Sequence, residues 1–391
     1  MRNKKKPIKI CFISHSSAMD GAERSLLILL ENIDRKYFTP VVVLPRSGPL
    51  KEKIQHLSIK IYKVKIPWWI NYRKNNLLSF LKFGYSIIQE AMALPKLYKI
   101  VKKEKIDMIY TNTIVNFSGA IIAFITKKPH VWHIREIIPD NPDLHFFLPD
   151  RWLFNFILRY SNKVITNSSA TSKQFRNSKL DWKIRIVYSA IDVEEFKIHQ
   201  PFPSIKGVKT TDWLVAVIGT LQKRKAQDDA IRAVKIAGKV IPDIKLLIIG
   251  EEGKEYRNYL EALIFKLNIS DKVIFTGHRD DVPKILPYCK VLLVPSWNEP
   301  FGRVVIEAMA ACIPVIGSNR GGIKEIIEDG INGYLVPPKS PSITAEKMIY
   351  LFHHKNIAKK MGNAGKETVR NKFNAQYYIQ NIEKIIMESI F

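Results

Sequence analysis

The stretch Glu299-Pro300-Phe301-Gly302-Arg303-Val304-Val305-Ile306-Glu307-Ala308-Met309-Ala310 contains two carboxylates on either side of a Pro-Phe-Gly turn and a predicted helix start. The apolar run before it, 290–296, is typical of a fully buried parallel strand. A helix that begins after such a strand presents free backbone N–H groups, which bind phosphate. Carboxylates on both sides of an anion site suit the hydroxyl groups on both sides of a diphosphate, as in a nucleotide sugar.

The alternative for this stretch is an ordinary helix, because Glu-Ala-Met-Ala is good helix-forming sequence and a Glu there is usually solvated. The wider context favours the first interpretation. Residues 275–338, with the motifs GGIKEII at 321–327 and DGING at 329–333, resemble the donor half of retaining glycosyltransferases of family four. The resemblance implies the GT-B fold and roles for two residues: Glu299 holds donor-sugar hydroxyls and Glu307 holds the ribose.

The rest of the chain alternates short apolar runs with helix-length amphipathic segments, which predicts an α/β protein with two mostly parallel sheets. The predicted strands of the first half are Lys9–Ile13, Pro40–Leu44, Met108–Tyr110, Val131–His133 and Lys163–Thr166. Those of the second half are Leu214–Ile218, Lys245–Ile249, Val273–Thr276, Val291–Val294 and Val315–Gly317. In GT-B terms these are two doubly wound Rossmann-like domains that face a central cleft.

The expected domain boundaries follow from this alternation and from the resemblance. Residues 1–195 form an acceptor-side domain, 196–211 a linker, and 212–370 the domain that binds the nucleotide sugar. Residues 371–391 include a last helix that packs back toward the first domain in the GT-B fold. Open α/β sheets bind ligands beyond the carboxyl ends of their strands, so we expect the site residues there.

The donor domain opens with a strand that ends at Gly219 and is followed by a cluster of cations. By pattern alone this is also a common basic surface loop. The resemblance implies that Lys225 contacts the donor diphosphate. The family has an Arg where this chain has Thr220, so one phosphate contact is either missing or supplied by Arg224. Further expected contacts with the base or the diphosphate are His278, the amides around Phe301 and Gly302, and the pair Gly321 and Gly322.

Two loops of the first domain are candidates for the site. Gly21 precedes a helix and allows a ligand close to the backbone, although an ordinary βα turn has the same pattern. His133 ends a strand, and the resemblance implies that it lies near the reacting sugar, whereas a lone His is most often structural. The expected catalytic residues are therefore Glu299 and His133. Where Asn-Gly-Ile-Asp is common in the family, this chain has Ser189-Ala190-Ile191-Asp192.

Composition limits the partners and the compartment. The net charge of +26 suggests an anionic membrane surface or phosphorylated substrates, and motifs of nucleic-acid binding modules are missing. Three cysteines indicate a reducing cytoplasm. The basic N-terminus leads into a first strand rather than a signal peptide, and every apolar run falls short of a membrane span. Metal-ligand spacings are lacking, so we expect neither a metal nor a cofactor, only a UDP- or GDP-linked sugar as substrate.

The acceptor is the least constrained part of the prediction. Residues 66–74 contain Trp68, Trp69 and two cations, 77–83 are mostly apolar, and 96–105 are basic. Aromatic rings beside lysines suit a membrane interface, although the same rings also suit a core. We therefore expect a cytoplasmic enzyme, peripheral to the inner face of the membrane, that extends a lipid-linked glycan for a cell-surface polysaccharide. The alternatives are a catalytically silent nucleotide-sugar binder and a transferase with a soluble acceptor.

Overall fold

The computed structural model describes residues 6–70, 77–139, 141, 144–147, 149–176, 179–197, 202–250 and 253–391. The chain divides into two compact units. The first consists of Met1–Ala190 together with Ala375–Phe391, and the second of Ile191–Asn374. Each unit is an α/β domain built on a parallel sheet.

The first unit, in its described part, has a seven-stranded parallel sheet in the order β3-β2-β1-β4-β5-β6-β7. Its strands are β1 (Ile8–Ser14), β2 (Phe38–Leu44), β3 (Lys60–Lys63), β4 (Met108–Asn112), β5 (His130–Ile134), β6 (Lys163–Thr166) and β7 (Ile184–Ile186). Its helices are α1 (Gly21–Asn32), α2 (Pro49–Gln55), α3 (Leu77–Glu104), α4 (Ser118–Thr126), α5 (Asp150–Arg159), α6 (Ser169–Ser172) and the C-terminal α14 (Ala375–Ile390).

The second unit has a six-stranded parallel sheet in its described part, in the order β10-β9-β8-β11-β12-β13. Its strands are β8 (Trp213–Ile218), β9 (Ile244–Ile249), β10 (Val273–Gly277), β11 (Val291–Val294), β12 (Val315–Ser318) and β13 (Tyr334–Val336). Its helices are α7 (Gln227–Ala237), α8 (Lys254–Leu267), α9 (Val282–Ile285), α10 (Arg303–Ala310), α11 (Ile323–Ile326), α12 (Pro341–His353) and α13 (Lys355–Lys372).

In both sheets the strand order reverses beside the first strand, between β1 and β4 and between β8 and β11. The loops that leave the carboxyl ends of these strands separate at that point, which is where doubly wound sheets bind ligands. The central strands are apolar and almost completely buried, as expected for strands covered by helices on both faces. The topology thus shows two Rossmann-like domains.

All ten predicted strands are present, with boundaries within two residues of those predicted. The sequence did not predict β3, β7 and β13, each of which lies at the edge of its sheet. Edge strands are only half covered, so their side chains do not form a continuous apolar run.

The segment expected as a linker, 196–211, belongs to the second unit where it is described. A 3-10 turn, Val193–Phe196, packs against α10 through the buried Phe196. Further along, the ring of Phe202 lies 5.1 Å from that of Tyr288. The C-terminal helix α14 belongs to the first unit and packs against α1, with Tyr378 and Ile382 in the core.

Candidate functional site

The loop between β11 and α10 places Glu299 at the carboxyl edge of the second sheet. Gly302 precedes α10 with a φ of +100°, a conformation that favours glycine because it has no Cβ. The backbone can therefore turn directly from the loop into the helix. The start of a helix at the carboxyl edge of a parallel sheet is a common place for an anion to bind.

Glu299 forms an ion pair with Lys225, which comes from the loop after β8. The distance from Nζ to Oε2 is 2.7 Å, and the two side chains are 16% and 13% exposed. Burial alone would raise the pKa of Glu299, but the ammonium of Lys225 and the guanidinium of Arg224 outweigh it and lower the pKa. A charged carboxylate and a cation from two different loops thus meet at the edge where the strand order reverses.

Glycines in the loops after β8 and β12 allow close packing around Lys225 and Glu299. Gly219 has a φ of +141°, and a Cβ there would lie 3.5 Å from Cε of Lys225, so the lysine stem packs across it. Gly321 has a φ of +59°, and a Cβ would lie 2.2 Å from the carbonyl oxygen of Glu299. The N–H of Gly322 donates to the same oxygen at 2.8 Å. The predicted glycines Gly219, Gly321 and Gly322 therefore fix the backbone around Lys225 and Glu299.

The turn that carries Arg224 and Lys225 is tied to the rest of the unit by its backbone. The N–H of Trp297 donates to the carbonyl of Arg224 at 2.9 Å. The amide of the buried Gln227 donates to the carbonyl of Thr220 at 3.1 Å. Thr220 itself is exposed, and its neutral hydroxyl provides no cation in place of the Arg that the family pattern has there.

The other predicted residues of this unit differ in their surroundings. Glu307 accepts a hydrogen bond from Nε of Arg303 at 2.9 Å, one helical turn before it. Phe301 is 3% exposed and packs against Phe373, so only its backbone can contact a ligand. His278 is exposed and lies 3.2 Å from Asp280, at the end of β10.

In the first unit, His133 lies at the end of β5 and is fully buried. Its Nδ1 is 2.5 Å from the hydroxyl of Tyr110 and 3.2 Å from Nη2 of Arg135. Because a guanidinium can only donate, Nδ1 is the acceptor and the proton is on Nε2. Burial, with the positive charge of Arg135, holds the pKa of His133 well below its usual range. His133 is therefore a neutral imidazole whose Nε2–H lacks a partner among the described residues.

Arg135 is the centre of this network, and the sequence did not single it out. Its guanidinium donates to Asn112 at 3.3 Å, to Ser189 at 3.3 Å and to the hydroxyl of Tyr378 on α14 at 3.0 Å. Ser189 belongs to the motif that departs from the family pattern, and it is a buried acceptor for Arg135. The Arg at the end of the strand, two residues after His133, was the available signal.

Gly21 begins α1 as predicted, and the more informative residue is Glu23 beside it. Glu23 is fully buried, and both carboxylate oxygens lack a hydrogen-bond partner in the described chain. His15 Nδ1 lies 3.3 Å from Oε1 of Glu23 without the alignment of a hydrogen bond. Burial, with a smaller contribution from Asp20, raises the pKa of Glu23 to about 7. Burial lowers the pKa of His15 to about 4.

Two family models match the chain, one on each unit. Residues 19–195 match Glycosyltransferase Family 4, and residues 200–368 match Glycosyl transferases group 1. The chain is a group 1 glycosyltransferase. The donor-side motifs from which the resemblance was drawn lie within the second match, and the GT-B expectation is confirmed.

Relatives and solved structures cover most of this glycosyltransferase. The N-acetyl-alpha-D-glucosaminyl L-malate synthase of Bacillus anthracis is 28% identical, over 78% of this chain and 80% of that protein. The UDP-Gal:alpha-D-GlcNAc-diphosphoundecaprenol alpha-1,3-galactosyltransferase of Escherichia coli is 23% identical, over 86% of each. Anabaena Alr3699/HepE, solved in complex with UDP-glucose, has a TM-score of 0.77 at 23% identity and covers 97% of this chain and 100% of its own.

Two further properties belong to the described part of this glycosyltransferase. Its described helices are all too short or too polar to cross a membrane. In the same part of the chain, His, Cys, Asp and Glu side chains do not form a group of three that could hold a metal ion.

Proposed function

We propose that this glycosyltransferase transfers a sugar from a UDP- or GDP-linked donor to a hydroxyl of a glycan acceptor, with retention of configuration and without a metal ion. The observation that carries the proposal is the ion pair of Lys225 and Glu299, held between glycine turns where the strand order reverses. A cation there suits a diphosphate, and a carboxylate next to it suits the hydroxyls of the attached sugar.

In the reaction, the acceptor oxygen bonds to the anomeric carbon and the bond from that carbon to the diphosphate breaks. The hydroxyl proton leaves with the diphosphate. Lys225, Arg224 and the backbone N–H groups at the start of α10 stabilise the charge that develops on the leaving group. Glu299 orients the donor sugar, Glu307 binds the ribose, and His133 donates a hydrogen bond through Nε2. The similar structure of Anabaena Alr3699/HepE, solved with UDP-glucose, supports a UDP-linked donor.

The proposed acceptor is a lipid-linked glycan at the cytoplasmic face of the membrane, in the synthesis of a cell-surface polysaccharide. Support comes from the Escherichia coli relative, whose name specifies a diphosphoundecaprenol-linked acceptor. The net charge of +26 is consistent with an anionic membrane surface as a partner.

A soluble acceptor is the second candidate, because the Bacillus anthracis relative has L-malate in its name. A catalytically silent nucleotide-sugar binder is disfavoured by the presence of both Glu299 and an unpartnered His133 Nε2. Activity separates these alternatives: a silent binder is stabilised by a donor and never turns it over.

Donor binding can be tested by thermal shift with a panel of UDP- and GDP-sugars in EDTA. A donor at one hundred times its Kd stabilises the protein by about 2.7 kcal/mol, which raises Tm by several degrees. We expect at least one donor to do so, and Lys225→Met to lose most of the shift. If the Tm stays constant with every donor, with and without magnesium, the proposed function is refuted.

Catalysis can be tested with Glu299→Ala and His133→Ala, measured as release of the nucleoside diphosphate from the donor that gives the thermal shift, with water as acceptor. We expect turnover to fall at least ~100-fold in each variant, because each loses a contact that strengthens in the transition state. Phe265→Ala, at an exposed position on α8, is the control. Turnover near the unmodified level in Glu299→Ala would remove that residue from the mechanism.

A further inference from the structure

The first half of helix α3, from Ser79 to Met92, departs from the usual polarity of a surface helix. Its inward positions recur every three or four residues and include the polar residues Ser79, Ser86 and Glu90. Six of its eight exposed positions between Phe80 and Met92 are large and apolar, and the other two are Lys82 and Ala91. The outward side chains, with exposed fractions of 47–63%, are Phe80, Leu81, Tyr85, Ile87, Ile88 and Met92. A helix at the surface of a soluble protein normally has its apolar side facing the core.

Ring contacts extend this surface beyond the helix. Phe80 lies 6.1 Å from Phe147, and Phe83 stacks on Phe147 at 4.1 Å with an interplanar angle of 12°. Phe147 is itself 42% exposed. The outer face of α3 from Phe80 to Met92, together with Phe147, is called the α3 apolar face below. Contiguous exposed apolar surface of this kind marks a site of association.

The charges of α3 are also distributed unevenly. Beyond Met92 the exposed side chains are Pro95, Tyr98 and four cations, Lys96, Lys99, Lys102 and Lys103. The two acidic residues of α3 face inward: Glu90 accepts from the indole of Trp69 at 3.1 Å, and Glu104 pairs with Lys60 at 2.7 Å. The exposed surface of the described part of α3 therefore carries only positive charge, next to the α3 apolar face.

From this arrangement we infer that the α3 apolar face inserts into the interface of an anionic bilayer, with the lysines that follow bound to lipid headgroups. Apolar side chains that enter the acyl boundary beside cations that attract anionic headgroups are the two components of peripheral membrane binding. The inference rests on the proposed membrane partner and identifies the surface that contacts it. The charge of the helix favours an anionic bilayer over a second copy of this chain, which carries the same positive charge.

The structure also changes the residues expected to bind the membrane. Trp69 packs edge-on against Phe83 and Phe117 and donates to Glu90, so its indole belongs to the core. Trp68 donates through its indole N–H to the carbonyl of His15 at 2.9 Å. Residues 71–74 of the predicted patch lie outside the described residues. Replacing the two tryptophans would disturb the fold, and α3 is the better place to test membrane binding.

The test is co-sedimentation of the full chain with vesicles of phosphatidylcholine alone or mixed with phosphatidylglycerol. We expect binding only to the mixed vesicles, with the affinity reduced by salt. Ile88→Ser combined with Met92→Ser should weaken binding by ~10-fold or more, because each loses the burial of a large apolar side chain. Lys99→Glu combined with Lys103→Glu should weaken it at least as much at low salt. The control is Phe265→Ser, at a still more exposed apolar residue of the second unit.

Each variant is also tested for its Tm and for its thermal shift with the donor. Vesicle binding that is unchanged in both double variants overturns the inference, and the donor shift independently shows whether the proposed function stands. Equal binding to neutral and anionic vesicles overturns the proposed role of the lysines in binding anionic headgroups. If the unmodified chain does not bind vesicles of either composition, the inference is wrong. If light scattering then shows a dimer that Ile88→Ser combined with Met92→Ser dissociates, the α3 apolar face is an interface between copies of this chain.

Discussion

Replacing Lys225 by Met tests how much the ion pair with Glu299 contributes to stability. Removing one partner of a fully buried pair costs about 3–5 kcal/mol, whereas exposed pairs contribute about 0–1 kcal/mol. With side chains 16% and 13% exposed, this pair is close to the buried limit. We therefore expect Lys225→Met to lower the free energy of unfolding by about 2–3 kcal/mol at pH 7.

The pH dependence of that loss gives a sharper test. Burial, the largest influence on Glu299, raises its pKa, and Lys225 is the main group that lowers it again. In the unmodified protein, the lowered pKa contributes stability above pH 4.5, and that stability is lost as the pH falls through the folded-state pKa. In Lys225→Met the burial is no longer offset by the ammonium, so the pKa of Glu299 rises. The penalty should therefore be largest at pH 7 and shrink as the pH falls toward 4.5.

Urea unfolding at several pH values measures this penalty. Lys225→Met combined with Glu299→Gln should recover most of the loss, because the unpaired carboxylate is gone. Arg370→Met is the control, since its pair with Glu367 is 2.8 Å long but 47% and 59% exposed. A penalty below about 0.5 kcal/mol at every pH would refute the conclusion that burial makes this pair strong.

Two further predictions concern buried groups near the carboxyl edges of the sheets. Glu23→Gln should stabilise the protein at pH 8 by up to about 3 kcal/mol, because a folded-state pKa of about 7 against 4.5 costs stability as the pH rises through this interval. A Tm difference from the unmodified protein that does not change between pH 4.5 and pH 8 would contradict it. Gly321→Ala should cost about 3 kcal/mol or more and lose the donor shift, because its Cβ would meet the Glu299 carbonyl at 2.2 Å. Gly84→Ala, in open space on α3, is its control, and equal Tm values for the two would count against the packing argument.

The sequence predicted the α/β class and ten strands because central parallel strands are continuous apolar runs. The Lys60–Lys63 segment illustrates why the edges were missed: its terminal lysines are exposed and its two central residues are only half buried.

The candidate site was predicted in part, for a different physical reason. Motif spacing indicated Glu299 and Lys225 separately, but the hydrogen bond between them joins residues 74 positions apart and depends on the sheet order. Tyr110 had no local pattern, because a buried Tyr in a strand looks like any other strand residue in the sequence, and the only signal for Arg135 was its place just after the end of β5. The orientation of His133 became evident only once these two partners were located.

Helix α14 has a consequence for the way the chain is made. The first unit is interrupted, because the whole of the second unit, Ile191–Asn374, is synthesised before the segment that completes it. At about 5–20 residues per second, that interval is on the order of ten seconds or more. During this time the surface of α1 that later packs on Ile382 has no cover, and Arg135 lacks its bond to Tyr378. The nascent first unit therefore exposes the apolar positions of α1 that α14 covers in the finished protein.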